Sequence, residues 1–125
     1  MLAINQFEKQ QYLNVETFRK NGNGVKTPVW FVQDGENLIV WTETTSGKAR
    51  RVRNRGEVNI APCKADGTLL GDWVAASAKA DDSDAALSHL KQLMARKYGI
   101  AFHLFGLMGK LRRSKYTSIL VELGK

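Results

Sequence analysis

Two glycine-containing turn signals constrain the fold of this chain more than any other feature of its sequence. Residues 21–24 read Asn-Gly-Asn-Gly and residues 34–35 read Asp-Gly, residue types that accept positive φ and favour tight hairpin turns. β-Branched and aromatic residues dominate the runs at 29–32 and 38–42, on either side of the second turn. The sequence therefore predicts consecutive hairpins, the first of which turns near residue 22.

Three further segments extend the strand pattern. Residues 58–61 and 73–80 lie on either side of an Asp-Gly turn signal at 66–67, and both contain alternating or β-branched residues. About five strands are therefore expected before residue 80. Residues 118–123 form a last apolar run, which is expected to return to the sheet as a closing strand.

The pattern changes from strand to helix after Ala80. Residues 81–84 supply capping oxygens and negative charge, apolar residues recur at helical spacing over 84–98, and Gly99 is a suitable C-cap. A short second helix is compatible with residues 100–114, although Gly106 and Gly109 oppose it. Strands, an inserted helix and a final strand predict a mainly β, α+β domain or a barrel.

Length and composition favour one globular domain over residues 1–125. No apolar run approaches the roughly 20 residues that cross a bilayer, and no signal peptide is recognisable, so we expect a cytoplasmic protein without a membrane partner. Cys63 is the only cysteine, so it cannot form an internal disulfide and is expected to be a small core residue. His89 and His103 lack partners at metal-ligand spacing, which makes a metal site improbable.

The net charge of +7 predicts attraction to anions. Much of it lies in two basic blocks, residues 48–55 and 110–115, each of which could be an anion site or a solvated surface. Nucleic-acid binding would need these blocks to join a stacking surface of tryptophans: Trp30, Trp41 and Trp73. Because tryptophans in the strands of a small barrel more often pack in the core, we consider a nucleic-acid partner unlikely.

Residues 42–51 combine hydroxyl side chains, a glycine and several cations at the end of a predicted strand. Hydroxyl and backbone N–H groups donate directed hydrogen bonds to phosphate, and Lys and Arg add charge-assisted ones. The segment suits a phosphate site, although an ordinary surface turn can have the same composition.

Four motifs, at residues 17–22, 26–31, 46–53 and 59–63, occur in an order and spacing that resemble the pyridoxamine 5′-phosphate oxidase-like superfamily. The resemblance is strongest to its small bacterial branch of deazaflavin (coenzyme F420)-dependent oxidoreductases, and it covers the chain from about Phe7 to the final strand. It implies an FMN-binding split β-barrel of about six strands with one or two helices. It also implies a homodimer with cofactor sites at the subunit interface.

The same resemblance assigns candidate cofactor-binding residues. Those on the strand that lines the flavin or deazaflavin ring are Lys26, Thr27, Pro28 and Val29. Those that match the phosphate-binding turn are Thr42, Ser46, Gly47 and Lys48, with Arg51 as an additional cation. Trp41 stands where the family often places an aromatic residue. The cofactor implied is F420 or FMN.

The resemblance implies an oxidoreductase that transfers hydride between the cofactor and an unidentified small organic substrate. No catalytic residue is evident, since the cofactor carries the reactive atom in such chemistry. The chain ends without the Trp-Arg-x-x-Pro type of motif of true pyridoxamine phosphate oxidases, which argues against vitamin B6 oxidation. The alternative is a non-catalytic carrier or sensor of a flavin, deazaflavin or haem-like ligand. The block at 110–115 could accept the polyglutamate tail of F420.

Overall fold

Six antiparallel strands form a closed barrel in the computed structural model, which describes residues 3–104 and 115–123. Their order around the barrel is β1-β2-β3-β6-β5-β4. The strands are β1 (Tyr12–Phe18), β2 (Gly24–Asp34), β3 (Asn37–Glu43), β4 (Glu57–Cys63), β5 (Val74–Asp81) and β6 (Tyr116–Leu123). The mainly β, α+β expectation of about six strands is confirmed, with five of them before the long helix.

Both predicted hairpin turns are present. Gly22 and Gly35 have φ values of 92° and 63°, which a residue without a Cβ adopts readily. The first turn is closed by the Arg19 N–H, which donates to the Asn23 carbonyl at 2.9 Å. These turns set the register of β1 with β2 and of β2 with β3.

Strand β2 changes partner half-way along its length. Residues 24–30 pair with β1, whereas only residues 31–34 pair with β3. Beyond Val40, β3 pairs with β6 but no longer with β2. The barrel wall therefore splits between the first part of β2 and the last part of β3. Pro28 lies on the split part of β2, where a residue without an N–H is tolerated.

Alternate residues of all six strands fill the barrel interior. Each strand contributes to one buried cluster, for example Leu13 from β1, Ile60 from β4 and Val121 from β6. A 3₁₀ helix, Ala3–Phe7, adds Phe7 to this cluster before β1 begins. Helix α1 (Gly47–Asn54) adds Val52 to the same core and contacts the far part of β1.

Helix α1 occupies most of the first basic block, for which the sequence analysis had assigned no secondary structure. Ser46 caps it, since its Oγ accepts from the Ala49 N–H at 3.2 Å. Two apolar side chains, Ala49 and Val52, lie one turn apart and are buried, whereas most of the remaining helix is basic. The helix therefore holds to the barrel by a narrow apolar stripe.

Helix α2 (Asp84–Tyr98) packs against the outer face of the barrel, with the bounds that the sequence predicted. Ser83 is its N-cap, and Gly99 ends it with φ of 59°. Leu90 and Met94 lie in a second buried cluster with Val32 and Ile39 of the sheet. Residues 100–104 are helical, as expected for the second helix. Its remainder, residues 105–114, lies outside the described residues and includes most of the second basic block.

Candidate functional site

A cavity of about 350 Å³ lies at the split between β2 and β3. We call it the aromatic cleft. Its lining residues come from both edges of the split, from both helices and from β1 and β6: Tyr12, Pro28, Val29, Trp30, Trp41, Thr42, Glu43, Lys48, Met94, Phe102 and Tyr116. This volume is in the range of small-molecule sites. Five of the lining residues are aromatic, so the cleft offers flat, apolar surfaces.

The aromatic side chains of the cleft are held by one another. Trp41 contacts Phe102 and Tyr116 edge to face, with ring centroids 4.4 and 4.8 Å apart. Trp30 stacks on Tyr98, with centroids 4.3 Å apart and planes 8° from parallel. Such pairs add to area burial and fix the orientation of the rings. Each side of the cleft therefore has a tryptophan that packs against another ring.

The end of α2 fixes β2 where that strand changes partner. The Tyr98 hydroxyl accepts from the Phe31 N–H at 3.1 Å and lies 2.6 Å from the Gln11 carbonyl, to which it can donate. The Lys97 Nζ donates to the Phe31 carbonyl at 2.8 Å and lies 3.5 Å from the centre of the Phe31 ring. Burial raises the pKa of Tyr98, and desolvation of the ammonium lowers the pKa of Lys97 to about 8.

Two hydroxyl residues and one lysine lie around the start of α1, and two of the three, Thr42 and Lys48, line the cleft. The Thr42 Oγ1 lies 3.1 Å from the Ser46 Oγ, and Lys48 lies in the first turn of the helix. Burial lowers the pKa of Lys48, and so does Arg51 nearby, whereas Glu43 opposes the shift. A helix N-terminus with a cation beside it favours an anion. We call Thr42, Ser46 and Lys48 the anion cradle.

A second cavity, of about 420 Å³, lies beside α1 at the turn between β1 and β2. We call it the basic pocket. Its lining residues are Phe18, Arg19, Lys20, Gly47, Arg50, Arg51, Asn54 and Arg55. The Arg51 Nε donates to the Thr17 Oγ1 at 2.6 Å, and Arg55 lies 5.5 Å from the centre of the Phe18 ring.

Neither a protein-family model nor a curated protein sequence matches this chain, but solved structures share its fold. HutZ, the heme storage protein from Vibrio cholerae, superposes with a TM-score of 0.73 at 14% identity, over 97% of this chain and 87% of that one. An F420 reductase gives 0.62 at 16% identity, over 98% and 93%. A Listeria innocua protein with a provisional pyridoxamine 5′-phosphate oxidase assignment gives 0.68 at 10% identity, over 98% and 90%.

The chain has the same split-barrel fold as these solved structures. The expectation of that fold is confirmed. The names of these structures describe different functions: one is a heme storage protein and another is an F420 reductase. At identities of 16% or less, their likeness concerns the barrel and its split, not the ligand.

The split barrel brings half of the predicted site residues to one cavity. Those that line the aromatic cleft are Pro28, Val29, Trp41, Thr42 and Lys48. Ser46 joins them through Thr42, but its Oγ also caps α1. Gly47 and Arg51 line the basic pocket instead. The Lys26 Nζ lies 5.3 Å from the Trp73 ring, and Thr27 pairs with Val15; neither is among the residues that line the cleft.

The aromatic residues that reach the cleft from distant parts of the chain were not predicted from the sequence. Tyr12 begins β1, Tyr116 begins β6, and Phe102 follows the long helix. Phe102 had a signal, since it was one of the apolar residues of the predicted second helix. For the two tyrosines no local pattern points to the split, because only the strand order of the barrel brings them there.

The structure also shows the surroundings of Cys63 and His89. Cys63 is buried, as expected, and burial raises the pKa of its thiol. His89 lies 3.0 Å from the Asp34 carboxylate on the surface. Among the described residues, no group of three or more His, Cys, Asp or Glu side chains is arranged to hold a metal ion. Within the same residues, no helix is both long and apolar enough to span a membrane.

Proposed function

We propose that this chain binds a phosphate-bearing flavin or deazaflavin in the aromatic cleft and acts as an oxidoreductase on a small organic substrate. One observation carries the proposal: the Lys48 ammonium and the Thr42 hydroxyl line the same cavity as the aromatic residues. A ligand that fills the cleft therefore meets flat apolar surfaces as well as anion-binding groups. FMN and coenzyme F420 both have this combination of ring and phosphate.

The anion cradle supports the assignment of the phosphate end. A phosphate near Lys48 would gain a charge-assisted hydrogen bond and the favourable end of the α1 dipole. Because Ser46 caps the helix, its contribution is to fix where α1 begins. Removal of Lys48 from water lowers its pKa, so a bound anion would restore a favourable environment for the ammonium.

The aromatic residues support the assignment of the ring end. Trp30 and Trp41 lie on opposite edges of the split, and each is braced by another ring. Pro28 and Val29 offer the β2 backbone to the polar edge of a flavin ring. A bound flavin would supply the atom that accepts or donates hydride, while the protein orients it and excludes water.

We also propose that the chain is a homodimer with the cleft near the subunit interface. Ile100 and Leu104 are 79% and 58% exposed, on the helical segment that brings Phe102 to the cleft. Burial of such residues against a second copy would remove apolar area from water. Light scattering at micromolar concentration should give a mass near twice 14.0 kDa, and a monomer mass would contradict the dimer.

Titration of FMN and F420 into the ligand-free protein tests the binding site. Lys48→Ala should weaken either cofactor by about 1.5 to 3 kcal/mol, the scale of a hydrogen bond to a charged group. Lys64→Ala is the matched control, because Lys64 is an exposed lysine of the loop that follows β4. Quenching of tryptophan fluorescence measures both affinities. Equal losses in the two variants would refute the cradle.

The second candidate function is a carrier or sensor that binds the same ligand without turnover. It is favoured by the fold shared with a heme storage protein. Oxidation of the reduced, bound cofactor should be followed with a panel of quinone and nitroaromatic acceptors under anaerobic conditions. Saturable acceleration over free cofactor supports an oxidoreductase. Tight cofactor binding with no acceleration supports the carrier.

A further inference from the structure

The basic pocket concentrates positive charge beyond what one phosphate needs. Five cations line it, two from the turn after β1 and three from α1 and its C-cap: Arg19, Lys20, Arg50, Arg51 and Arg55. None of its described lining residues is acidic. Within the described part of the chain, the ion pairs are Arg53 with Asp82 and His89 with Asp34, and neither includes a lining cation.

These cations also repel one another. Burial is the main cause that lowers the pKa of Arg51, and the neighbouring Arg19 and Arg50 lower it further. Like charges held at one place destabilise the folded chain unless an anion neutralises them. The arrangement thus carries an electrostatic penalty that a bound anion would relieve.

Two local features hold the pocket in shape. Thr17, which is 1% exposed, accepts from the Arg51 Nε at 2.6 Å and so fixes the guanidinium. A Cβ on Gly47 would lie 2.6 Å from the Arg51 Nη1, so the absence of a side chain there makes room for Arg51 over the start of α1. The pocket is therefore organised around one anchored arginine.

We propose that the basic pocket is a second anion site, which binds a ligand with two or more adjacent phosphate groups. Arginine guanidinium groups match phosphate oxygens in pairs, and four arginines line this pocket. A single phosphate monoester carries about −1.5 to −2 charges, which would leave most of the five cations unneutralised. A diphosphate or triphosphate supplies more charge over a length that a cavity of about 420 Å³ accommodates.

The pocket and the aromatic cleft can be occupied separately. Lys48 and Thr42 line the cleft, whereas Gly47 and Arg51 line the pocket, so the first turn of α1 lies between the two cavities. The proposal does not depend on a flavin in the cleft. Failure of one assignment therefore leaves the other testable.

Isothermal titration of inorganic pyrophosphate and triphosphate at low salt tests the proposal. The double variant Arg19→Gln, Arg50→Gln removes two exposed cations and should weaken both ligands at least tenfold. The matched control, Lys64→Gln with Lys91→Gln, removes two exposed cations elsewhere. It should change the affinities for pyrophosphate and triphosphate less than twofold. Lys48→Ala should also change these two affinities less than twofold. The double variant should still bind FMN with little change.

Four outcomes would overturn the site. They are the absence of saturable pyrophosphate binding, equal losses in the control, a larger loss with Lys48→Ala, or triglutamate binding as tight as that of triphosphate. Tighter binding of a random oligonucleotide than of triphosphate at equal salt would assign the surface to nucleic acid instead. Circular dichroism of each variant confirms that the fold persists, since the exchanged side chains are exposed.

Discussion

The aromatic cleft and the basic pocket lie on either side of the first turn of α1, yet they are built in different ways. The cleft is assembled from residues as far apart as Tyr12 and Tyr116, and its one lining cation is Lys48. The pocket is assembled from two short segments, residues 18–20 and 47–55, and five of its lining residues are cations. One short helix thus supports an apolar cavity and a strongly charged one.

The difference shows what each cavity depends on. The cleft needs the packing of α2 on the barrel, because Met94 and Phe102 line it from that side. The pocket needs only α1 and the turn after β1, anchored by the bond from Arg51 to Thr17. Changes in α2 should therefore affect the cleft and spare the pocket, whereas changes in α1 should affect both.

The largest effect is expected from Leu90→Ala. Leu90 is 1% exposed in the cluster between α2 and the sheet, so its truncation should lower the free energy of unfolding by about 2 to 5 kcal/mol. Urea denaturation measures the loss, with Gln92→Ala on the exposed side of α2 as the control. Pyrophosphate affinity of the folded variant should not change. A parallel loss would contradict the independence of the two cavities.

Tyr98→Phe should have the next largest effect. It keeps the ring that stacks on Trp30 but removes the hydroxyl that accepts from the Phe31 N–H. An unsatisfied backbone group in this partly buried place should destabilise the fold by about 1 to 3 kcal/mol. Denaturation followed by tryptophan fluorescence measures it. Tyr116→Phe serves as the comparison. If both substitutions change the free energy of unfolding by an equally small amount, the Tyr98 hydroxyl does not fix β2.

Ser46→Ala tests the element that both cavities share. Loss of an N-cap costs about 0.5 to 2 kcal/mol, and here it should also weaken ligands of both the cleft and the pocket. Ser83→Ala removes the equivalent cap of α2, in which the Ser83 Oγ accepts from the Ala86 N–H at 3.2 Å. Ser83→Ala should lower the free energy of unfolding by a similar amount and leave pyrophosphate binding unchanged. Equal losses of ligand affinity in Ser46→Ala and Ser83→Ala would argue against a specific role of α1.

The smallest effect is a pH dependence from Lys97. Its pKa falls from 10.5 to about 8 in the fold, so between these values the unfolded chain binds more protons and stability should rise with pH. Because Lys97 as a residue is exposed although its ammonium is partly desolvated, solvent screening should keep the rise below about 1 kcal/mol. Above pH 10 the raised pKa of Tyr98 acts in the opposite direction. Urea midpoints from pH 7 to 10 measure the rise, which Lys97→Met should abolish.

The sequence predicted those elements whose signals are local. The positive φ at Gly22 and Gly35 follows from turn chemistry, and α2 has both caps and a helical apolar period within its own residues. Helix α1 escaped prediction because its apolar stripe has only two residues, Ala49 and Val52. Its one strong signal was Ser46, an N-cap residue followed by good helix formers.

The residues of the candidate site likewise divide into those that the sequence predicted and those that it did not. The family resemblance assigned Pro28, Thr42 and Lys48 to the cofactor site, and all three line the cleft. By itself, the sequence determined the strands, the turns and the long helix, because residue type and spacing act over a few neighbours. Only the tertiary structure decided that β2 leaves β1 and pairs with β3 after Trp30, that aromatic residues from β1 and β6 meet at this split, and that the first basic block separates two cavities. Closure of a barrel joins residues a hundred positions apart, and no local pattern encodes which of them will meet.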